Sequence, residues 1–158
     1  MPKIFNESSV KTECTPNDIR QCVKVLYDWK CAVCETSDNV TVAHFLKNSR
    51  ACSELGVPWD VSNFVYLCGT LGVEGTCHDY FDKFQMSFVF YSEKKKWSVV
   101  GGGEHHGKII DLPSNPRKRV VHSHFTRCVL LESLVGVDAA DVKKEGLEES
   151  GADSASSV

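Results

Sequence analysis

The apolar positions of this chain recur first at helical spacing. Thr15 is a good N-cap and Pro16 suits the first helical position, so a helix is predicted to begin there. The apolar side chains that follow at intervals of three and four residues predict one face that packs on the core. This face consists of Ile19, Cys22, Val23 and Leu26, with Trp29 or Lys30 at its end.

The period then shortens, which is typical of strands. Residues 39–44 alternate, and residues 64–68 form a continuous apolar run, so both are predicted strands. Between them, polar residues, Gly56 and Pro58 predict an irregular loop with a helical turn at about 51–55. Thr76-Cys77-His78-Asp79 has the form of a capping box, which predicts a short helix from Thr76 to Phe84.

A β-hairpin is predicted next, from residues 86–91 and 97–100, with a lysine run at its tip. A short strand at 109–112 and a final helix at 120–135 complete the pattern. The predicted fold class is therefore α+β, in one domain of residues 15–135 with its core at 31–84.

The two ends of the chain have a different composition. Residues 1–14 show no clear period and are interpreted as an N-terminal arm. Residues 136–158 are rich in Asp, Glu, Ala, Gly and Ser and are predicted to be a disordered acidic tail. Six acids and two lysines give this tail a charge of −4, so the net charge of −3 leaves the rest of the chain at +1. A nucleic-acid partner is compatible with this balance.

The hydropathy pattern predicts no membrane partner, because the longest apolar runs are far too short to span a bilayer. The first residues do not form a signal peptide, so an intracellular site, cytoplasmic or nuclear, is expected. In that compartment the eight cysteines are expected to be reduced thiols and metal ligands rather than disulfides. The sequence predicts no particular oligomeric state.

A CxxC turn at Cys31 and Cys34 follows the first predicted helix. Two thiolates at this spacing can bind one zinc ion, but a structural zinc site needs four ligands. Cys68 and Cys77 flank a glycine-bounded loop and are the best candidates to complete the set, with Cys52 or Cys128 as the alternative. A structural Zn²⁺ is therefore one expected cofactor.

Three further residues suit phosphodiester hydrolysis. His44 ends the first predicted strand, and the ordinary pKa of histidine lies near neutrality, so it could act as a general base. His78 and Asp82 are four residues apart on one face of the short predicted helix. A nitrogen and oxygen pair of this kind suits a divalent cation such as Mg²⁺, Mn²⁺ or Zn²⁺.

The order of these residues resembles the HNH endonuclease family, whose fold is the ββα-metal finger. The resemblance is carried by Ala43-His44-Phe45, by Asn63 through Leu67, and by His78-x-x-Phe-Asp82. It implies that His44 is the general base, that Asn63 orients it, and that His78 binds the metal with Asp82 as a further ligand. The function it implies is metal-dependent hydrolysis of DNA with little intrinsic sequence specificity.

Two departures from this family keep a second hypothesis open. Ala43 stands where many members place Asp or His as a metal ligand. His78 lies 15 positions after Asn63, a longer spacing than expected, because residues 69–75 look like an inserted loop. The alternative is an HNH-fold module that binds nucleic acid or protein and cuts weakly or not at all. A more distant alternative is a secreted, disulfide-rich effector or toxin.

Basic residues near the proposed site suit contacts with the backbone of DNA or RNA. An ordinary solvated surface would contain such charges too. The candidates are Lys47 and Arg50 after the proposed base, and the cluster Arg117, Lys118 and Arg119.

Overall fold

The computed structural model describes residues 16–70 and 72–137. In these ranges the chain is an α+β protein, as predicted, and it has four helices and two small antiparallel sheets. The predicted arm at 1–14 and the predicted tail beyond residue 137 lie outside the described residues. None of the helices in the described ranges combines the length and the apolar character that crossing a membrane requires.

The elements follow one another in nearly the predicted order. Two short 3₁₀ helices, Val61–Asn63 and Gly103–His105, lie between the main elements. The main elements are α1 (Pro16–Leu26), β1 (Val40–His44), α2 (Ser49–Leu55), β2 (Phe64–Cys68), α3 (Cys77–Asp82), β3 (Met86–Tyr91), β4 (Lys96–Gly101), β5 (Ile109–Ile110) and α4 (Lys118–Leu130).

The first sheet and the helix that follows it form a ββα unit. Strands β1 and β2 are antiparallel, with Val40 opposite Cys68 and His44 opposite Phe64. Helix α3 packs against both strands. Its N-cap is Thr76, whose hydroxyl accepts from the backbone N–H of Asp79. That this unit is a metal finger of the HNH kind stays a prediction.

The second sheet has the order β3, β4, β5, and helix α4 packs mainly against β3. Aromatic side chains join it to the ββα unit. The ring of Phe45, just after β1, lies 5.3 Å from Phe81 on α3 and 6.2 Å from Phe88 on β3. All three are nearly inaccessible to solvent, so the two sheets share one core.

Two helices end earlier than their apolar periods predict. Helix α1 stops at Leu26 because Asp28 and Trp29 adopt left-handed backbone angles, with φ of 53° and 60°. Trp29 is 47% exposed, so it does not extend the buried face. Helix α4 stops at Leu130 instead of continuing to Val135.

Candidate functional site

Four cysteines from three parts of the fold lie together beside the ββα unit. Cys31 and Cys34 lie in the turn after α1, Cys68 ends β2, and Cys77 begins α3. Their sulfur atoms all lie within 4.8 Å of one another. Tetrahedral zinc, with Zn–S bonds near 2.3 Å, implies sulfur separations of about 3.8 Å. The four cysteines predicted from the sequence are therefore brought together, and the cluster could hold a metal ion such as zinc.

Backbone hydrogen bonds hold the CxxC turn in place. The N–H of Ala32 donates to the carbonyl of Tyr66 at 2.9 Å, which ties the turn to β2. The N–H of Val33 donates to Cys31 Sγ at 3.4 Å, and donation to sulfur favours the thiolate form. The ammonium of Lys108 donates to the Val33 carbonyl, which adds a positive charge next to the turn.

Close packing of the sulfur atoms makes their protonation interdependent. Hydrogen bonds from Cys68 and Cys77 hold the pKa of the Cys31 thiol far below its ordinary value. The same contact with Cys31 raises the pKa of Cys68 to about 11 and raises that of Cys77 well above its ordinary value. One sulfur in the cluster is thus readily ionised, and a bound cation would displace the remaining protons.

The cysteines considered as alternative ligands lie elsewhere. Cys52 is buried on α2, where burial and the nearby Asp60 carboxylate raise its pKa. Burial raises the pKa of Cys128 to about 12. Both therefore behave as small buried apolar side chains rather than as ligands. The seven cysteines in the described residues are all free thiols.

A second pair of metal-ligating side chains lies on α3. His78 Nε2 is 3.0 Å from Asp82 Oδ2, and the two side chains are only 12% and 23% exposed. The other ring nitrogen of His78 lies against the hydroxyl of Thr41 on β1, and that hydroxyl donates to the carbonyl of Gly69. Adjacent ligands in an octahedral site with bonds of about 2.1 Å are about 3 Å apart. The pair therefore fits two positions of a divalent cation.

Few protein ligand atoms for a metal ion lie at this second position. In residues 16–70 and 72–137 the cysteine cluster is the one group of three or more His, Cys, Asp or Glu side chains close enough to share an ion. Ala43 is buried at 1% exposure and offers no ligand atom. Any cation at His78 and Asp82 would thus rely on water or substrate oxygens for its other positions, as Mg²⁺ commonly does.

Asn63 binds the two residues that follow His44. It is 2% exposed, its Oδ1 accepts from the N–H of Leu46 at 3.0 Å, and its Nδ2 donates to the Leu46 carbonyl at 2.9 Å. Its own carbonyl accepts from the N–H of Phe45 at 2.8 Å. The chain just after His44 is therefore bound to the start of β2 by three hydrogen bonds. The His44 ring itself is exposed, with an edge contact to Phe64 at 6.5 Å.

His44 and Asp82 are each next in sequence to an aromatic residue of the core. Phe45 follows His44, Phe81 precedes Asp82, and these two rings are in edge contact at 5.3 Å. The charges of Asp82 and His44 both act on the pKa of the buried His124. The proposed base and the proposed metal ligands thus lie on two elements that pack against each other, β1 and α3.

His124 on α4 has a structural role beneath this region. Its ring stacks on Phe81 at 4.0 Å, Nε2 donates to the Phe81 carbonyl at 3.2 Å, and Nδ1 accepts from the Ser87 hydroxyl at 2.9 Å. Burial lowers the pKa of His124 from 6.5 to about 4, despite the carbonyl contact. The folded protein therefore holds this ring neutral at physiological pH.

This buried ring predicts a stability loss in mild acid. The unfolded chain binds a proton at His124 below pH 6.5, whereas the folded chain does so near pH 4. Unfolding thus takes up a proton between these values, and the free energy of unfolding should fall by about 2 kcal/mol from pH 7 to pH 5. Urea unfolding at both pH values measures this loss. The His124→Asn variant should lose about 2 kcal/mol less than wild type over the same interval; an equal loss would contradict the assignment.

The residues predicted to contact phosphate differ in how strongly other protein groups bind their side chains. Arg117 contacts both Asp60 oxygens at 3.3 Å and also donates to Ser62. Although burial opposes ionisation, these contacts hold the pKa of Asp60 below its usual value. Arg117 thus has a structural role, and its contact with a nucleic acid stays a prediction.

The other basic candidates lie at or near the surface. Lys47 is exposed, while Arg50 pairs with Glu54 at 3.1 Å. Lys118 lies over the Phe90 ring at 4.3 Å, and Arg119 donates to the Gly56 carbonyl at 3.1 Å. Contacts of this strength are easily exchanged for contacts with a phosphate.

Sequence reasoning missed two residues at this site. Thr41 contacts His78 directly, and nothing in a single strand residue signals such a contact. Arg127 is exposed, its guanidinium lies 5.0 Å from the Phe84 ring, and its charge acts on His124 together with those of His44 and Asp82. Arg127 lies one turn after His124, so the sequence could have indicated this residue only if the packing of α4 had been known.

Comparisons of this chain with protein-family models, with curated proteins and with solved structures gave no match.

Proposed function

We propose that this protein is a metal-dependent endonuclease that hydrolyses phosphodiester bonds in DNA. The observation that carries the proposal is the arrangement on α3 and β1. A His78–Asp82 pair with ligand atoms 3.0 Å apart lies on α3, which packs against β1, and β1 ends in the exposed His44. The residues after His44 are bound by the buried Asn63. A metal position next to an oriented general base is what hydrolysis of a phosphodiester requires.

In the proposed mechanism each side chain has one task. The neutral imidazole of His44 takes a proton from the attacking water, and Asn63 holds the backbone that directs this ring. A divalent cation held by His78 and Asp82 would neutralise charge on the scissile phosphate and on the departing 3′ oxygen. Arg127, exposed on the neighbouring helix, supplies a further positive charge for the phosphate.

The cysteine cluster is proposed to hold a structural Zn²⁺. All four positions of a tetrahedral site would be filled by cysteine sulfur, which leaves none for water or substrate. Its location supports this role, because it joins the end of α1, the end of β2 and the start of α3. Zinc there would fix the helix that carries His78 and Asp82.

Binding to DNA is proposed to depend on backbone contacts. Exposed cations available for such contacts include Lys47, Arg119 and Arg127, and phosphate contacts carry no sequence information. Low intrinsic sequence specificity follows.

Incubation of supercoiled plasmid with the zinc-loaded full chain tests the proposal. Nicked circles should form with Mg²⁺ or Mn²⁺ and should not form with EDTA. If the folded protein binds DNA and cuts none with either metal, the proposal fails.

That result would favour the second candidate function, a binding module on the same scaffold. The observation in its favour is Ala43, a buried side chain that leaves the second metal position with two protein ligands. Gel-shift titration of the protein with duplex DNA, in EDTA, measures binding without cleavage and separates a DNA-binding module from a protein-binding one.

A further inference from the structure

We infer that Thr41 is a positioning residue that fixes the imidazole of His78 in the tautomer a metal ligand needs. The inference rests on the proposed function, because it concerns the cation position formed by His78 and Asp82. It assigns a role to a strand residue that has no ligand atom of its own in that position.

The hydroxyl of Thr41 has one hydrogen, and its two contacts determine where that hydrogen goes. One contact is the carbonyl oxygen of Gly69, which can only accept. The other is Nδ1 of His78. Since the hydroxyl hydrogen is used on Gly69, the oxygen must accept from His78, and Nδ1 must carry the proton.

This assignment leaves the lone pair of the other ring nitrogen facing the carboxylate. His78 Nε2 is 3.0 Å from Asp82 Oδ2. When the ring is neutral, two acceptors face each other at that distance, and a proton or a metal cation between them makes the contact favourable. A histidine ligand whose second nitrogen donates to a fixed oxygen is the arrangement that orients such ligands in metal sites.

The acceptor that directs Thr41 is itself fixed in position. Gly69 has a φ of 86° and donates its N–H to the Asn39 carbonyl at 2.5 Å. A Cβ at this position would overlap the side chain of Thr76, so a glycine is required. The contacts with Asn39 and Thr76 therefore hold Gly69 where its carbonyl accepts from the Thr41 hydroxyl.

Both partners of Thr41 are neighbours of cluster cysteines. Gly69 follows Cys68, and His78 follows Cys77. Closure of the cysteine cluster thus holds the acceptor of the Thr41 hydrogen bond and the histidine it orients. The Thr41 hydroxyl thus adds a link between the cluster and the proposed cation position to the one that helix α3 itself provides.

Two substitutions isolate the hydroxyl. Thr41→Val keeps the branched shape and removes both hydrogen bonds, whereas Thr41→Ser keeps the hydroxyl. Loss of a hydrogen-bond partner of a metal ligand typically lowers metal affinity about 10- to 100-fold. With protein carrying one equivalent of zinc, Mn²⁺ titration should show that loss for Thr41→Val and near wild-type affinity for Thr41→Ser.

A second measurement reads the tautomer directly. The ¹⁵N shifts of the His78 ring, assigned with His78→Gln, should show a protonated Nδ1 in wild type and Thr41→Ser, and a mixture in Thr41→Val. The inference is overturned if wild type binds no Mn²⁺, if its neutral ring is protonated at Nε2, or if the two variants behave alike. Wild type that gives the expected shifts and affinities and cuts no DNA would overturn the proposed function and leave this inference standing.

Discussion

Replacing Cys31 with serine is expected to remove zinc from the protein and to lower its stability by about 4–5 kcal/mol or more. The reason is that this sulfur is 1% exposed and is the acceptor for two other thiols of the cluster. Loss of a structural metal is among the few single changes with so large an effect. Metal content per chain and urea unfolding measure the two consequences.

Cys22→Ser is the matched control for this experiment. Cys22 lies on α1, half-buried and outside the cluster. This variant should keep one zinc ion per chain and most of the wild-type stability. A Cys31→Ser protein with full zinc content, or equal losses in the two variants, would show that the cluster is not a metal site.

Replacing His44 with alanine is expected to slow DNA cleavage by about 10²- to 10⁴-fold, the usual contribution of general acid–base catalysis. Because the His44 side chain is exposed, the free energy of unfolding should change by about 0.5 kcal/mol or less. Affinity for Mn²⁺ at His78 and Asp82 should be retained. Single-turnover nicking rates at saturating Mg²⁺ measure the effect.

His105→Ala supplies the comparison, since His105 ends a 3₁₀ helix between β4 and β5. Its cleavage rate should equal that of wild type. Cleavage by His44→Ala at the wild-type rate would mean that another group activates the water, and the assignment of the base would be wrong.

Local sequence signals predicted the elements that position the site. Strand β2 has the predicted bounds. Because Thr76 is the N-cap, α3 itself begins at Cys77, one residue after the predicted start of the helix. The four cysteines could be grouped because two of them form a CxxC turn and the other two flank one loop. Short-range chemistry of this kind is visible in a single sequence.

Contacts between residues distant in sequence could not be predicted in this way. The Arg117–Asp60 pair joins residues 57 apart, and it gives a structural role to a side chain predicted to contact phosphate. The Thr41–His78 contact spans 37 residues. The first depends on where the start of α4 lies relative to the residues before β2, and the second on how α3 packs against β1. Periodicity alone does not determine either.

The capping box illustrates a smaller difference of the same kind. Thr76 caps α3 as predicted, but the Asp79 carboxylate accepts from the N–H of Gly72 at 2.9 Å and pairs with Lys83 at 3.1 Å. The contact with Gly72, aided by Lys83, holds the pKa of Asp79 below its usual value. Asp79, the last residue of the predicted capping box, thus anchors the loop that contains Gly72 to α3.

The chemistry of the cut ends tests the central claim most directly. Attack by a water that His44 activates, with departure of the 3′ oxygen, leaves a 5′ phosphate and a 3′ hydroxyl at each nick. Plasmid nicked by the zinc-loaded protein in Mg²⁺ should therefore be resealed by DNA ligase with no further treatment, and the EDTA control should contain no nicks. Absence of nicking in Mg²⁺, or nicks that ligase cannot seal, would contradict the account.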